Sequence, residues 1–573
     1  MYPLQKIAFF SIVVCLLVNC KEKEVFVDNF TTTFTPNILW LVCEDMSAYI
    51  PPFGDSTVQT PNLSRLAEEG VRYTNFYSIS GVCAPSRFAI ATGMYPSSVG
   101  AHHMRTYGNP DYMDSIGLIP YEAVLPPNAR MMSEVLRQHG YYCTNNDKTD
   151  YQFRHPVTAW DESSPYAHWN GRAPDQPFFA VYNFGVTHES QVFWPTGIRN
   201  LRFRDFPPQR PDTILPWSVQ IDSADWKLLV DPDLDVPVPP YLPDTEPVKN
   251  DIRRVYSNIV EMDRQVGNIL IELERDGLLE NTIIFWYTDH GGPLPRQKRL
   301  LYDSGIRVPM IIRFPGSWNA GETDDQLISF VDLAPTVFSL AGIQPPEYLQ
   351  GQSFLGAYDS DESRSYIHAA ADRFDMRYDM IRAVRDKRFK YLRNFYPERG
   401  YYLDIQYREN MVTMQELLRL RDEGKLNEFQ AQWFRTSKPE EELFDTETDP
   451  HELNNLAQDP RYQDKLIELR EECDRWMKEI QDKGLIPENE LITILWPGWT
   501  QPETAPPSIT NEDEFITISC DTPGASIGYR IEGAAESWSV YAGSFQLATG
   551  SYSLEVTAHR IGYKPSPIVT IVL

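Results

Sequence analysis

Continuous apolar runs, separated by stretches with helical spacing, constrain the fold of this chain more than any other feature of its sequence. The first run, Ile38 to Cys43, is typical of a strand that is buried on both faces of a parallel sheet. Similar runs lie at 177–186, 281–288 and 308–315, and helices are predicted at 61–69 and 251–277. Strands that alternate with helices predict an α/β domain with a mostly parallel sheet.

The length of 573 residues indicates more than one domain. We expect the α/β domain to span 36–365. Beyond it, short aromatic and basic strand-like pieces and a helix near 461–483 predict a smaller α+β subdomain over 366–494. A Pro-rich linker at 495–508 leads to residues 509–573, where alternating patterns and Gly-rich turns predict a small β-sandwich.

The first twenty residues have the pattern of an export signal. Lys6 precedes the apolar run from Ile7 to Val18, which is too short to span a membrane comfortably. The run ends near Cys20 and resembles a bacterial lipoprotein signal, in which that cysteine becomes the lipid-bearing first residue. We therefore predict a signal peptide at 1–20, a tether at 21–35, and export to the periplasm or cell surface. Membrane attachment is expected only through a lipid on Cys20; the alternative is ordinary secretion with cleavage elsewhere.

The formal net charge of −28 at pH 7 argues against nucleic acid as a partner. An anionic substrate would need a local cationic pocket in so acidic a protein. Five cysteines follow the signal, and an odd, widely scattered set is not a disulfide framework. No CxxC or Cys/His cluster suggests zinc. These five cysteines are Cys43, Cys83, Cys143, Cys473 and Cys520.

Polar residues follow three of the predicted strands. Ligands bind at the carboxyl ends of strands in open α/β sheets, so these residues are expected to share one site. The three groups are Glu44-Asp45, Thr187-His188-Glu189 and Asp289-His290. Neighbouring carboxylates at such an edge need a cation or a proton, and the oxygens of Glu44, Asp45 and Asp289 suit calcium or magnesium.

Cys83 stands at the predicted start of a helix, in the stretch GVCAPSRFAIATG at 81–93. Pro85 suits the first turn, and Arg87 follows one turn further in. A nucleophile, a cation and free helix amides in one place suggest an anionic substrate. The alternative for a lone cysteine is a buried residue at a turn.

Further cations and histidines extend this set. Lys148 follows a predicted strand at 140–147, and Lys298 follows Asp289-His290 by a short loop. With Arg87 these lysines would form an oxyanion pocket, although single lysines are mostly solvated surface residues. His102 and His103 come shortly after the Cys83 helix, and either is a functional or a structural histidine.

The ordered motifs resemble those of the type I sulfatases of the alkaline phosphatase-like superfamily. The resemblance covers about 36–480 and implies that family's sandwich, a mostly parallel central sheet flanked by helices. The motifs are PNILWLVCED, TPNLSRLAEEGVRYTNFY, CAPSR with a closing TG, FFAVYNFGVTH, YTDHGG, KRLLYDSGIRVPMIIRFPG and FVDLAPTVFSLAGI. The resemblance implies hydrolysis of sulfate esters, or of sulfamate, on a sulfated polysaccharide or oligosaccharide, with ulvan-like and heparan-like glycans among the possible substrates.

The resemblance also implies the roles of individual residues. Cys83 would be converted to Cα-formylglycine by a formylglycine-generating enzyme, and its hydrated aldehyde would be the nucleophile. One calcium ion would be held by Glu44, Asp45, Cys83, Asp289 and His290. Arg87, Lys148 and Lys298 would hold the hydrate and the sulfate, and His188, with Lys298, would protonate the leaving oxygen.

Several positions depart from the family pattern. Glu44 replaces the usual Asp, and His290 stands where Asn is common. Asp150 replaces a histidine thought to help eliminate sulfate, so that role falls to Asp150, His102 or His103. These departures resemble the N-sulfoglucosamine-sulfatase-like branch. Sugar recognition depends on loops outside the motifs, where the proposed substrate contacts are Arg105, His155, His168, Arg373 and Arg382. The C-terminal sequence resembles a small chitobiase-type sandwich.

Three other functions remain alternatives. A cysteine phosphatase needs a longer anion loop than the three residues between Cys83 and Arg87. A phosphodiesterase or phosphatase of the same superfamily would normally use Ser or Thr and a His-rich zinc site. A non-catalytic glycan-binding lipoprotein would tolerate loss of Cys83, Asp289 or Lys298, yet all three are present.

Overall fold

A computed structural model gives the fold, and it describes residues 30, 34–108, 110–193, 228–360, 362–512, 515–533, 537–547 and 552–572. The predicted signal peptide at 1–20, with Cys20, lies outside these residues, as does most of the tether at 21–35. None of the helices in the described ranges combines the length and apolar character that crossing a bilayer requires.

A central sheet organises the larger part of the chain. Across the sheet the strands of the described residues run in the order β4-β3-β5-β1-β6-β7-β2-β8, and β9 pairs with β2 beside β8. In chain order they are β1 (Asn37–Cys43), β2 (Val71–Tyr77), β3 (Tyr142–Asn146), β4 (Glu162–Ser163), β5 (Phe178–Phe184), β6 (Thr282–Thr288), β7 (Arg307–Arg313), β8 (Thr323–Asp324) and β9 (Ile328–Ser329). The block from β4 to β6 is parallel, whereas β7 is antiparallel to both β6 and β2. The predicted mostly parallel α/β sheet is therefore confirmed.

Alternate residues of β1 enter two separate cores, which explains its continuous apolar sequence. Ile38, Trp40 and Val42 belong to one core, and Leu39, Leu41 and Cys43 belong to the other. Every residue of β1 is buried, so apolar residues occupy both faces of the strand beyond Asn37, its first residue.

Helices cover both faces of the sheet. They are α1 (Pro61–Glu69), α2 (Cys83–Thr92), α3 (Pro96–Val99), α4 (Pro110–Ser115), α5 (Met132–Gln138), α6 (Glu246–Arg275), α7 (Asp303–Ile306) and α8 (Leu333–Leu340). The long helix α6 buries its apolar stripe in the same core as Leu39 and Leu41. It begins at Glu246, earlier than the predicted 251, because Pro247 is suited to the first turn of a helix.

A second, antiparallel sheet follows along the chain. Its strands are β10 (Ile367–Ala371), β11 (Ile381–Arg385), β12 (Phe389–Asn394) and β13 (Glu441–Asp445), in that spatial order. The accompanying helices are α9 (Val412–Asp422), α10 (Glu428–Gln432), α11 (Gln463–Glu479) and α12 (Glu488–Leu495). Leu466, Leu469 and Cys473 of α11 pack in one core with Val384 and Tyr391 of the sheet.

Two small antiparallel sheets form the C-terminal part. The strands are β14 (Ser508–Glu512), β15 (Phe515–Ser519), β16 (Ser526–Ile531), β17 (Ser539–Val540), β18 (Phe545–Gln546), β19 (Ser553–His559) and β20 (Val569–Val572). Ile516 and Ile518 from one sheet meet Leu554 and Val556 from the other in a common core. This part also contacts the preceding chain, because Trp496 donates its indole N–H to the Gly562 carbonyl at 3.0 Å.

Candidate active site

The three polar strand ends lie side by side because β5, β1 and β6 are neighbours in the sheet. The backbone N–H of Asp45 donates to Oδ1 of Asp289 at 3.1 Å, and the N–H of Glu189 donates to Oδ2 of Asp45 at 2.7 Å. Asp45 has a positive φ of 50°, a strained conformation for a residue other than glycine. The expected convergence of the strand ends is thus present in the fold.

Cys83 is the first residue of α2 and is buried against these strand ends. Its Sγ lies 3.3 Å from Nε2 of His290, 3.8 Å from Oδ1 of Asp45 and 3.8 Å from Nζ of Lys298. Burial raises the pKa of the thiol, but Lys298, His290 and neighbouring cations outweigh burial and the carboxylates, and they lower the pKa to about 7. A thiol with this pKa is partly ionised at neutral pH, unlike an inert core cysteine.

Three cations lie beside the carboxylates at these strand ends. Arg87 donates from Nε to Oδ2 of Asp289 at 3.0 Å and from Nη1 to Oδ1 of Asn183 at 2.7 Å. Its Nη2 is buried and has no hydrogen-bond partner among the described residues. Lys148 lies 3.2 Å from Oε2 of Glu44, and Lys298 lies 2.5 Å from Oδ2 of Asp45. The three cations that the sequence singled out therefore lie beside the carboxylates of the strand ends.

We call the following set the Cys83 cluster: Glu44, Asp45, Cys83, Arg87, Lys148, His188, Asp289, His290 and Lys298. Two overlapping groups in it have metal-binding potential, with ligand atoms that all lie within 4.8 Å of one another. One group is Glu44, Asp45, Cys83 and His188; the other is Asp45, Cys83, Asp289 and His290. Asp45 and Cys83 belong to both groups, whereas Glu44 falls in one group and Asp289 and His290 fall in the other.

Glu44 and Asp45 stay ionised despite burial. Burial raises the pKa of Glu44, but Lys148 and His188 outweigh it and lower the pKa to about 2. Burial also raises the pKa of Asp45, yet Lys298 and the two histidines hold it well below its usual value. Burial lowers the pKa of His290, but Asp289 and Asp45 hold it well above its ordinary value. The lowered pKa values of Glu44 and Asp45 reflect the cations beside them, and the raised pKa of His290 reflects the two aspartates.

His188 is oriented by the turn that follows β5. The backbone N–H of Ser190 donates to Nδ1 of His188 at 3.2 Å. Nδ1 therefore faces the turn, and Nε2 faces the cluster, 3.4 Å from Nζ of Lys298.

Sequence reasoning assigned no role to three residues that support the cluster. Glu189 lies 3.2 Å from Lys298 and receives two hydrogen bonds of 2.9 Å from Arg299. Asn183, near the end of β5, accepts from Arg87 and donates to Oδ1 of Asn145 at 3.0 Å. Glu189 and Arg299 each adjoin a residue that the sequence did single out, His188 and Lys298, and that adjacency was the available signal.

Arg105 and Asp150 lie at the edge of the cluster. Asp150 is 3.8 Å from Nζ of Lys148, and it has a positive φ of 55°. Burial lowers the pKa of Arg105, but Asp150 and Cys83 lead a group of negative neighbours that raise it overall. Asp150 and Cys83 are therefore electrostatic neighbours of Arg105.

The remaining histidines lie elsewhere. His103 accepts at Nδ1 from the Arg373 backbone N–H at 3.2 Å, and both His102 and His103 are buried. His168 caps a short turn by accepting from Asn170, and its ring lies 4.1 Å from that of Trp169. His155 lies near His559 of the C-terminal sheets, whose pKa it helps to lower. Within the described chain, these four histidines form no hydrogen bond or ion pair with the Cys83 cluster. Of the three residues considered for the elimination role, Asp150 alone has an ion pair with the cluster in the described chain.

Arg373 and Arg382 were wrong as substrate contacts, because both are fully buried and paired with carboxylates. Arg373 donates two hydrogen bonds to Glu488 at 2.6 and 2.7 Å. Arg382 donates to Asp482 at 2.5 and 2.9 Å and to Asp372 at 3.1 and 3.2 Å. Such pairs hold the fold together and leave no donor facing a sugar.

Comparisons with known proteins agree with this geometry. Residues 36–343 match the family model described as Sulfatase, and residues 296–432 match the one described as N-sulphoglucosamine sulphohydrolase, C-terminal. An ulvan-active sulfatase of Formosa agariphila is 58% identical over 577 residues, covering 98% of this chain and 96% of the relative. The N-sulphoglucosamine sulphohydrolase of Homo sapiens is 25% identical over 486 residues, covering 78% of this chain and 90% of the relative.

A solved structure shares the fold. It is described as a protein in complex with its substrate D-glucosamine-2-N,6-O-disulfate. The match has a TM-score of 0.52 and 18% identity, and it covers 80% of this chain and 100% of the other. At this identity the likeness concerns the fold alone.

Proposed function

The chain belongs to the sulfatase family and is a sulfuric ester hydrolase, and on that premise we propose that it removes sulfate from a sulfated polysaccharide or its oligosaccharides with a nucleophile made from Cys83. The observation that carries this proposal is the position of Cys83 Sγ, 3.3 Å from His290 and 3.8 Å from Lys298. A nucleophile there is surrounded by the cations that a sulfate group requires.

Conversion of Cys83 to formylglycine is part of the proposal. Formylglycine supplies a hydrated aldehyde, with one oxygen to attack sulfur and a second to release the sulfate afterwards. The CAPSR stretch that starts α2 is the feature that a formylglycine-generating enzyme would recognise, before the chain folds and buries Cys83. Such an enzyme is therefore a required partner during maturation.

The donor set of the cluster fits a hard divalent cation. Glu44, Asp45 and Asp289 offer carboxylate oxygens, the ligands that calcium prefers, and His290 adds a nitrogen. Asp45 lies close to Glu44 in one group and to Asp289 in the other, and such neighbouring buried carboxylates are unfavourable without a cation beside them. When bound, calcium supplies Lewis-acid polarisation of the sulfate.

The other residues of the cluster have roles that follow from their positions. The free Nη2 of Arg87, with Lys148 and Lys298, would hold the sulfate oxygens and stabilise the charge that develops on them. His188 would give its Nε2 proton to the sugar oxygen as the S–O bond breaks. Glu189 and Arg299 would keep Lys298 in place.

The relative that is 58% identical is described as ulvan-active, and this supports ulvan or its fragments as the substrate. A second candidate is an N-sulfated or O-sulfated glucosamine glycan, which the match to the N-sulphoglucosamine sulphohydrolase C-terminal model favours. Both substrates are large and extracellular, so we also propose export and a lipid anchor on Cys20.

The test is sulfate release from purified protein that was produced together with a formylglycine-generating enzyme. Conversion of Cys83 is confirmed first, by the mass of the peptide that contains it. We expect release from ulvan, intact or cut by a lyase. Release from heparan fragments alone would select the second candidate. Fully converted protein that releases sulfate from neither glycan would contradict the proposed substrate class.

Removal of calcium should lower sulfate release about 100-fold or more, because Lewis-acid stabilisation of a transition state contributes several kcal/mol. The measurement is the turnover rate of converted protein after exhaustive chelation and again after added calcium. Asp289→Asn is the matched variant, since it removes one ligand charge and should make the enzyme need more calcium for half-maximal rate. Full turnover by protein shown to be free of metal would rule out the calcium assignment.

A further inference from the structure

Arg105 is held in a strained conformation between two buried neighbours. The backbone N–H of Met104 donates to the Arg373 carbonyl at 2.9 Å, and the N–H of Thr106 donates to Oε1 of Gln152 at 3.3 Å. Met104 and Thr106 are 3% and 0% exposed, whereas Arg105 is only partly buried. Its φ of 53° is one that non-glycine residues rarely adopt. The fold thus turns this single side chain out of an otherwise buried segment, a form of strain that is common at functional sites.

The guanidinium of Arg105 differs from those of three other arginines in this region, each of which forms an ion pair. Arg87 holds Asp289, Arg299 holds Glu189, and Arg373 holds Glu488, all through direct ion pairs. The side chain of Arg105 forms no hydrogen bond or ion pair within the described chain. It is a charged donor group near Cys83 and Asp150 with no carboxylate in contact.

The carboxylate of Asp375, which lies near Arg105, is already hydrogen-bonded to another arginine. Asp375 accepts from Nε of Arg299 at 2.8 Å, and Arg299 in turn binds Glu189 beside Lys298. Asp375 also has a positive φ, 52°, and its carbonyl accepts from Nη1 of Arg373 at 2.9 Å. Arg373 therefore fixes the backbone at both Met104 and Asp375. As a result, Arg105 and Asp375 lie near each other at the edge of the cluster, but they form no ion pair within the described chain.

An exposed aromatic residue lies beside this edge. Tyr407 is 36% exposed, and its ring packs edge-on against Phe193 with centroids 5.0 Å apart. Burial raises the pKa of its hydroxyl, and among the charges that reach it are those of Glu189, Lys298 and Arg105. Tyr407 thus presents an apolar face next to the unpaired cation, an arrangement that suits a charged sugar ring.

We propose that Arg105 binds a second anionic group of the substrate, a carboxylate or a sulfate that is not removed, and that Tyr407 packs against the sugar ring that carries it. This inference rests on the proposed function. The reacting sulfate already has Arg87, Lys148 and Lys298, so Arg105 is not needed for it. A second anion would be repelled by a protein with a net charge of −28 unless a local cation received it.

The test compares two probes, a sulfated oligosaccharide that contains a uronic acid and the same oligosaccharide after its carboxyl is reduced to an alcohol. Arg105→Gln should lower kcat/KM on the first probe roughly 10- to 100-fold, mainly through KM, the range expected for a lost charge-assisted hydrogen bond. The loss should shrink at least about fivefold on the reduced probe. A loss that instead follows the second sulfate of a disulfated sugar would support the site and identify its ligand as sulfate.

Control variants separate binding from folding. Arg105→Lys keeps the charge and should recover part of the lost kcat/KM. Arg172→Gln removes an arginine that lies over Phe178, away from the cluster, and should match the wild type on both probes. Tyr407→Ala should raise KM while Tyr407→Phe should not, because the ring rather than the hydroxyl packs on the sugar. An equal loss for Arg105→Gln on every probe, including a monosulfated neutral sugar, would overturn the inference.

A binding measurement distinguishes failure of this inference from failure of the proposed function. The Cys83→Ala protein, with and without Arg105→Gln, is titrated with the same two probes by calorimetry. Affinity that depends on both Arg105 and the carboxyl supports the inference even if no sulfate is released. Affinity that is the same with and without Arg105, on both probes and on a disulfated sugar, would refute it even in an active enzyme.

Discussion

Replacing Cys83 by alanine is expected to lower sulfate release about 10,000-fold or more, to the level of the background assay. Alanine has no group that can be oxidised to an aldehyde, and removal of a nucleophile costs an enzyme most of its rate. The measurement is sulfate release from the best substrate, with wild-type and variant proteins produced with the same formylglycine-generating enzyme.

The same variant should fold normally. Cys83 Sγ contacts only side chains, at 3.3 to 3.8 Å, and the thiol lies among the carboxylates of Asp45 and Asp289. Its removal therefore leaves no backbone group unpaired, and the melting temperature should stay within a few degrees. Cys143→Ala is the matched control, because Cys143 is also buried but contacts the Ser133 carbonyl in a separate core. A Cys83→Ala protein that keeps its activity would refute the assigned nucleophile.

Replacing Lys298 by alanine should reduce both activity and stability. Its Nζ lies 2.5 Å from Asp45, 3.2 Å from Glu189 and 3.8 Å from Cys83, and its side chain is 3% exposed. Without Lys298, the buried Asp45 carboxylate loses its nearest cation, and removing one partner of a buried pair costs about 3–5 kcal/mol. Turnover should fall about 100- to 1,000-fold, the cost of one oxyanion-stabilising group.

Lys148→Ala is the matched comparison. The side chain of Lys148 is 26% exposed, and it lies 3.2 Å from Glu44, so solvent can replace part of its interaction. Its loss should reduce turnover but lower the free energy of unfolding much less than Lys298→Ala does. The measurements are kcat and denaturant unfolding of both variants. Equal destabilisation by the two substitutions would contradict the role of Lys298 as the buried counter-charge of Asp45.

The fold was predictable where one residue type repeats over a whole element. The continuous apolar run of β1 predicts a strand that is covered on both faces. The apolar residues of α6 recur with helical spacing and predict a helix with one buried face. The direction of β7 was not predictable in the same way. Its apolar run is compatible with either direction, and β7 is antiparallel to its neighbours β6 and β2.

The site was predictable where motifs place reactive residues at strand or helix ends. Asp45, Cys83 and Asp289 lie together because the ends of β1 and β6 and the start of α2 meet at one edge of the sheet. Arg373 and Arg382 could not be distinguished from substrate-binding arginines, because their carboxylate partners Glu488 and Asp482 are 115 and 100 residues away in sequence.

The sequence by itself determined the alternation of strands and helices, the strand ends that carry charge, and the position of Cys83 at a helix start. These are local properties, since apolar periodicity and end residues act over a few neighbours. Only the tertiary structure decided which charges pair and which remain free. Glu189 and Arg299 support the Cys83 cluster, and Arg373 is paired with Glu488. The guanidinium of Arg105 has no ion pair within the part of the chain that the structure describes. Pairing depends on distances of a few ångströms between residues far apart in the chain, and these distances are set by packing.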